Sequence, residues 1–356
     1  MTRLVSEADI ALDDPSALAS ALIGHMLEHD VVCETRDACT FADLGIGSGV
    51  LEPTETVLKI RVEAADLGAL ESLRLFISSH VLEFADEPEP AIVWRGNLTN
   101  GPTLANFREV RLKSAVDLTP RMKRLTFAGD DVARFASDEE IHVRLYFPPA
   151  GLAVPEWPRP GDDGRIVWPA EERRPAVRYY TVRRVDLDVG EIEIDFLMHE
   201  DAGPGAAFAA EAVSGALCGM AGPVGRMAPQ ASWTLLAGDE TALPAIARML
   251  ERMPPDARGL ALIEVQDATD ELPLAAPSGM DLRWLHRAPA HAGETSLLLD
   301  AIRAAPMPAA EDVYAWVACE FGSAKEIRQY LRSERGLARD RHQVVGYWER
   351  EPSRAA

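Results

Sequence analysis

Cationic side chains are scarce in this chain. Its 36 lysines and arginines stand against 57 aspartates and glutamates, a formal net charge of −21 over 356 residues. A nucleic-acid binder normally carries a basic patch, and this balance argues against one. It also argues against adsorption to an anionic lipid surface. Long apolar runs are missing too. None approaches the roughly 18 residues that a membrane helix needs, so no membrane insertion is expected. Cysteine is sparse, and Cys33, Cys39, Cys218 and Cys319 form no CxxC pair. The usual zinc-ribbon spacing is therefore absent. The opening stretch MTRLVSEADIALDDP is acidic and has no apolar core, unlike a secretory leader. A cytoplasmic location with reduced thiols is the expectation.

What is present is ordinary globular material: 47% hydrophobic and 26% charged residues. The length suits two or three domains. Three are expected: a small α+β domain over 1–100, a β-barrel over 105–229 and an α/β domain over 230–350. In the first, apolar residues at helical spacing run from Pro15 to His29 and from Asp66 to Phe84, while TVLKIRVE (56–63) alternates as a half-buried strand does. The stretch NLTNGPT (97–103) reads as a linker. From Arg108 onward, short strands separated by turns predict an antiparallel Greek-key barrel. They include HVRLYFPP, Val177–Val185 and Glu191–Met198. Residues 151–175 are rich in proline and glycine. So long a loop is usually functional, and it is the candidate lid. After residue 230, apolar strands alternate with helices, which predicts a doubly wound parallel sheet.

Several constellations carry chemistry. Arg178-Tyr179-Tyr180-Thr181 offers a guanidinium for a diphosphate, aromatic faces for a ring system and a hydroxyl for a ring nitrogen. Taken alone, with Val182-Arg183 following it, it fits a strand with two surface arginines, Arg178 and Arg183, as well. His199 to Phe208 (HEDAGPGAAF) places small residues at a helix start, where backbone N–H groups bind anions. A plain loop-to-helix junction is the alternative. Gly222-Pro223-Val224-Gly225 is a tight turn, either structural or in ligand contact. Gly238-Asp239-Glu240-Thr241-Ala242 and Ala318-Cys319-Glu320 each follow a strand, at the carboxyl-end crevice where parallel sheets bind nucleotides. His25, His29 and His80 could meet at a metal, but surface or capping roles are commoner, and no metal site is expected. Gly45-Ile46-Gly47-Ser48-Gly49 lacks a following helix and reads as a turn, not a nucleotide loop.

The motifs TPRMKRLTF, HVRLYFP, RYYTVRR, HEDAGP, AGPVG, AGDETALPAIARMLE, WVACE and GYW follow one another over most of the chain from residue 107 on. This stretch resembles the siderophore-interacting protein family, flavoprotein reductases of the ferredoxin-reductase-like superfamily. Residues 1–100 more weakly resemble a domain of unknown function (2218). The resemblance implies FAD and NADPH or NADH as cofactors and a ferric siderophore as substrate. It places Arg178 at the FAD diphosphate, with Tyr179 beside it. Tyr180 would pack against the flavin or its ribityl chain, and Thr181 would sit near flavin N5. His199, Gly203, Pro204, Gly205 and Ala206 would line the adenosine diphosphate. Gly238, Asp239, Glu240, Thr241, Ala242, Ala318, Cys319 and Glu320 would contact the nicotinamide nucleotide. Arg144, where the family often has Lys, and Arg350 are the candidates for an anionic chelate. The family usually shows Ala-Gly-Glu at 318–320, so the Cys319 side chain could crowd the nicotinamide. Arg283 and Arg287 could meet a 2′-phosphate, while Glu264 or Asp267 could repel it. The implied activity is NAD(P)H-dependent reduction of a ferric siderophore by a monomer or weak dimer. A general flavin reductase, or a non-catalytic flavin or siderophore binder, is the alternative.

Overall fold

The computed structural model describes residues 3–28, 31–85, 88–97, 101–152, 154–199, 203–211 and 213–350. His29 and the Glu200–Ala202 part of HEDAGP lie outside the described residues, as do 98–100 of the expected linker. The chain divides into two compact units. One comprises residues 1–107 with 148–175, and the other comprises 108–147 with 176–356.

The first unit opens with β1 (Leu4–Ala11), α1 (Pro15–Glu28), β2 (Val32–Arg36), β3 (Cys39–Asp43), β4 (Gly47–Pro53), β5 (Val57–Ala64), α2 (Leu67–Phe84) and β6 (Arg95–Gly96). The strands form one sheet in the order β2-β3-β4-β5-β1-β6. Alternation decides what is buried: Ser6, Ala8 and Ile10 of β1 face inward, and Glu7 and Asp9 face water. The inward side joins Leu22 of α1 and Leu70, Ile77 and Val81 of α2 in one core. Asp66 starts α2 by accepting a hydrogen bond from the Ala69 N–H at 3.0 Å. The GIGSG stretch is only partly a turn. Gly45 takes φ +77°, but Gly47 to Gly49 belong to β4. A Cβ on Gly47 would lie 2.2 Å from the Glu63 carbonyl oxygen, so the glycine permits close strand pairing.

Three strands of the second unit come next: β7 (Phe107–Asp117), β8 (Met122–Gly129) and β9 (Glu140–Phe147). The chain then returns to the first unit. Residues 148–175, which include the candidate lid over 151–175, contain a small hairpin, β10 (Arg159–Pro160) with β11 (Ile166–Val167). The Ser78 hydroxyl donates to the Asp163 carbonyl at 2.5 Å and accepts from the Trp94 indole N–H at 2.8 Å. Gly164 turns with φ +82°, and a Cβ there would lie 2.7 Å from Trp94 Nε1. Irregular backbone is tolerated here because folded partners satisfy its polar groups.

The barrel closes with β12 (Ala176–Asp186), β13 (Glu191–Leu197), α3 (Pro204–Glu211) and β14 (Leu217–Arg226). Its strand order is β12-β13-β8-β7-β14-β9. Leu112, Leu125, Phe127, Val143, Leu145, Val182, Ile194 and Phe196 fill it. The final elements are β15 (Trp233–Gly238), α4 (Leu243–Arg252), β16 (Arg258–Val265), β17 (Gly279–His286), α5 (Leu297–Ala304), β18 (Val313–Glu320), α6 (Phe321–Ser333) and β19 (His342–Trp348). The sheet is wholly parallel, in the order β17-β16-β15-β18-β19. The order reverses between β15 and β18, which opens a crevice at their carboxyl ends. The small α+β domain, the antiparallel barrel and the doubly wound sheet are those expected from the sequence.

Candidate active site

Strand β12 builds the first half of the site. In its register with β9, Thr181 pairs with His142, Tyr179 with Arg144 and Val177 with Tyr146. Side chains two apart share a face. Val143, Leu145 and Val182 point into the barrel core, so Tyr179, Thr181, His142 and Arg144 lie on the outer face. On its other side β9 pairs with β14, and Ala221 sits opposite Arg144. The outer face therefore presents a small residue, a cation and aromatic rings side by side. Tyr179 is 69% exposed and offers a free ring. Arg144 makes no ion pair among the described residues, and its Nε is buried without a hydrogen-bond partner. A buried donor without a partner is costly and marks a place where a ligand oxygen fits.

Tyr180 turns the other way, toward the side of the strand that Val182 shares. Its ring packs on Phe196 at 4.2 Å between centroids and edge-on to Phe147 at 6.1 Å. Its hydroxyl reaches α3, where a Cβ on Gly205 would lie only 1.9 Å from Tyr180 Oη. Gly205 is thus required for the tyrosine to fit beneath the helix start. Pro204 opens α3, and Ala206 is buried behind it. A proline at the first helical position leaves the following N–H groups free for an anion. Arg178 is exposed and donates to its neighbour's carbonyl, Val177 O, at 2.8 Å. It makes no ion pair among the described residues. As the i+2 partner of Tyr180, it shares a face with the ring whose hydroxyl meets α3. Gly203 precedes the helix, and His199 is exposed just after β13. Arg178, the Tyr180 hydroxyl and the amino end of α3 suit the diphosphate of FAD. The outer face, with its free ring and orphaned donor, suits a planar ring system.

Thr181 is buried, at 4% exposure. Its Oγ1 is 3.2 Å from His142 Nδ1, and His142 Nε2 is 2.8 Å from Tyr347 Oη. Burial, reinforced by the nearby Arg248 guanidinium, lowers the His142 pKa to about 4. The imidazole is therefore neutral at pH 7.

The nucleotide half lies at the reversal of the parallel sheet. Gly238 pairs with Ala318, and a Cβ at 238 would lie 2.4 Å from Ala242 Cβ and 2.5 Å from the Ala318 carbonyl oxygen. Only glycine fits there. Asp239 is buried and holds the turn: it accepts from the Thr241 N–H at 2.9 Å, from the Thr241 hydroxyl and from Trp348 Nε1 at 2.8 Å. Its pKa is raised, because burial outweighs those bonds. Glu320 caps α6, accepting from the Ser323 N–H at 2.9 Å.

Several expectations need correction. Glu240 is 3% exposed, and Arg287 grips it with two bonds of 2.8 and 2.5 Å. Glu264 adds a contact at 3.8 Å to the same guanidinium. Glu240 thus faces the sheet interior, not a nucleotide, and Arg287 is not free for a 2′-phosphate. Arg283 pairs with Asp281 at 2.5 Å. Cys319 does not crowd the crevice. Its side chain joins Leu235, Ala237, Ala324 and Ile327 in one core, whereas Ala318 belongs to the core on the α4 side with Ala242 and Ile246. Burial raises the Cys319 thiol pKa, which leaves it a packing residue. Arg350 sits at the nucleotide half: its N–H donates to Glu320 Oε1 at 3.4 Å, and its guanidinium is 3.7 Å from Glu294. Arg144 lies on the barrel. The His25 and His80 rings lie 4.5 Å apart, tilted by 39°, and no group of metal-binding residues occurs among the described residues.

His142, Tyr347 and Trp348 had no role assigned from the sequence. A signal existed for the first. Alternation in HVRLYF puts His142 and Arg144 on one face and Val143 and Leu145 on the other.

Comparisons with known proteins agree with this fold. Residues 111–227 match the model of the siderophore-interacting FAD-binding domain, and 231–351 match that of the siderophore-interacting protein. Residues 7–95 match a model described as an uncharacterized protein conserved in bacteria. The ferric vibriobactin reductase ViuB of Vibrio cholerae is 35% identical over 238 residues, 65% of this chain and 86% of that protein. The siderophore-interacting protein SipS of Aeromonas hydrophila aligns with a TM-score of 0.60 and 31% identity, covering 70% of this chain and 93% of its own. A siderophore utilization protein from T. fusca aligns with a TM-score of 0.59 and 36% identity, covering 73% and 98%. With a ligand-ready barrel face, a crevice at the sheet reversal and this likeness across both, the chain belongs to the siderophore-interacting protein family.

Proposed function

We propose that this protein is an NAD(P)H-dependent reductase of ferric siderophores that works through FAD. When bound, FAD supplies acceptance of a hydride and its release as single electrons. The residues bind and orient. Arg178, the Tyr180 hydroxyl and the amino end of α3 (Gly203, Pro204, Gly205, Ala206) hold the diphosphate, with His199 alongside. Tyr179 covers the ring system, and Thr181 and Arg144 flank it. Gly238, Asp239, Thr241, Ala242 and the Ala318–Glu320 backbone shape the nucleotide crevice. Glu240 supports it from behind. Arg144 and Arg350 attract an anionic chelate across an otherwise acidic surface, since charge is screened beyond about 8 Å at physiological salt. Reduction to Fe²⁺ loosens the grip of hard oxygen donors, which releases the metal. No protein nucleophile is needed.

The observation that carries this reading is the outer face of β9 and β12, where a free aromatic ring adjoins a guanidinium with an orphaned buried donor. The inward turn of Cys319 supports this reading, since its side chain packs in the core. The four cysteines are free, which suits a cytoplasmic site of action. No helix among the described residues is long and apolar enough to cross a membrane. We take the working form to be a monomer or weak dimer.

Anaerobic stopped-flow measurement tests the proposal. The FAD-loaded protein is mixed with NADH or NADPH, then with a ferric chelate. Bleaching of the flavin band by a nucleotide, and its return on adding the chelate, are expected. A protein that gains no flavin absorbance after FAD addition refutes the reading.

A further inference from the structure

Resting on the reading of β12 as the flavin strand, we propose that His142 and Tyr347 are positioning residues that tie Thr181 to the terminal strand of the nucleotide half. One piece of structure, β19, then sets both halves of the site.

The link is continuous. Thr181 Oγ1 meets His142 Nδ1 at 3.2 Å, and His142 Nε2 meets Tyr347 Oη at 2.8 Å. The two rings stand edge-to-face, 5.5 Å apart at 89°. Tyr347 rests edge-on against Trp316 of β18 at 6.2 Å, and Trp316 is fully buried. Its neighbour Trp348 donates to Asp239, whose carboxylate holds Thr241. Two adjacent side chains of β19 therefore reach the flavin strand and the nucleotide turn separately.

The GPVG turn finds its role here. A Cβ on Gly225, where φ is +72°, would lie 2.5 Å from His142 Cδ2. A Cβ on Gly222, where φ is +143°, would lie 3.2 Å from the His142 carbonyl oxygen. Both glycines leave room for the imidazole and its backbone. Gly346 does the same for β19, since a Cβ there would lie 2.9 Å from the Phe321 ring.

A neutral imidazole has one N–H, so the chain runs in one direction at a time. If Nδ1 donates to Thr181, Nε2 accepts from Tyr347. If Nε2 donates to Tyr347, Nδ1 accepts from Thr181. Either order fixes the Thr181 rotamer and leaves its hydroxyl one further bonding direction. That fixed hydroxyl is what the tie delivers to the flavin strand.

Three substitutions test it, Tyr347→Phe, His142→Asn and His142→Ala. Tyr347→Phe removes only the hydroxyl, and His142→Asn keeps a polar atom near the Nδ1 position while losing the reach to Tyr347. Nitrogen-15 histidine NMR of the flavin-free chain comes first. One neutral tautomer is expected for His142 in the wild type, with a changed tautomer ratio in Tyr347→Phe. With FAD bound, Tyr347→Phe should slow flavin reduction at saturating nucleotide about tenfold, the worth of one hydrogen bond, with KM nearly unchanged. His142→Asn should recover part of the loss seen in His142→Ala. An unchanged His142 resonance in Tyr347→Phe, or equal rates in all variants, overturns the proposal. If the wild type binds no FAD, the function proposed above fails, while the NMR result still decides whether the tie exists.

Discussion

The buried His142 makes a quantitative statement about acid stability. Its pKa is lowered to about 4 from an ordinary 6.5, by burial first and Arg248 second. The unfolded chain therefore takes up the proton at a higher pH than the folded one. Stability from this group is fully present above pH 6.5 and is lost as the pH falls toward 4. At about 1.4 kcal/mol per unit, the complete loss is about 3 kcal/mol, of which about 2 has gone by pH 5. Replacing His142 with Asn abolishes the titration. At pH 7.5 the variant should be less stable by about 1 kcal/mol, for the lost bond to Tyr347. Between pH 7.5 and 5 the wild type should lose about 2 kcal/mol more than the variant, so that their order reverses. Urea denaturation across that range measures both. All other groups titrate in both proteins and cancel. Parallel stability profiles would falsify the burial argument.

Four further outcomes follow from the same geometry. Glu264 has its pKa raised to about 7 by burial, against the pull of Arg287. Its contribution is therefore present below pH 4.5 and lost as the pH rises through 7; Glu264→Gln should stabilise the protein at pH 8 and do little at pH 4.5, as thermal melts would record. Arg287→Ala strands Glu240 in the sheet, and chemical denaturation should show a loss of about 3–5 kcal/mol; a loss below 1 would mean that the pair is solvated. Arg178→Ala should weaken FAD binding about 10- to 100-fold, the worth of a charge-assisted contact, as read by quenching of flavin fluorescence. Gly164→Ala should open residues 148–175 to limited proteolysis, because the new Cβ displaces the Trp94 indole. Unchanged cleavage would show that the turn relaxes freely.

Much of this fold is legible in the sequence, and the exceptions have physical causes. The parallel sheet announces itself because β15, β16 and β18 are apolar runs with helices between them. The same property hides the direction of Cys319. All eight residues of β18 are buried, so no alternation tells the two faces apart. Strands β2 and β3 are only five residues each and carry little periodic signal, and the GIGSG glycines look like a loop although Gly47 and Gly49 pair within the sheet. Arg178 and Gly205 could be read because their chemistry is local. The Glu240–Arg287 pair spans 47 positions and the His142–Tyr347 bond 205. Such partners are chosen by tertiary packing, and spacing along one chain carries no trace of them.

The capture of residues 148–175 has a consequence for how this protein could be divided or inherited. The first compact unit is discontinuous: its last part is threaded through the middle of the barrel's coding span. A gene trimmed to begin after residue 100 would keep every residue assigned to the flavin and nucleotide sites. It would nonetheless lose Ser78 and Trp94, the donors and acceptors that this returning segment was built to meet. The N-terminal region and the insertion are therefore one heritable part, and a recombination event that carries either alone breaks the bonds from Ser78 to the Asp163 carbonyl and from the Trp94 backbone N–H to the Asp162 carbonyl.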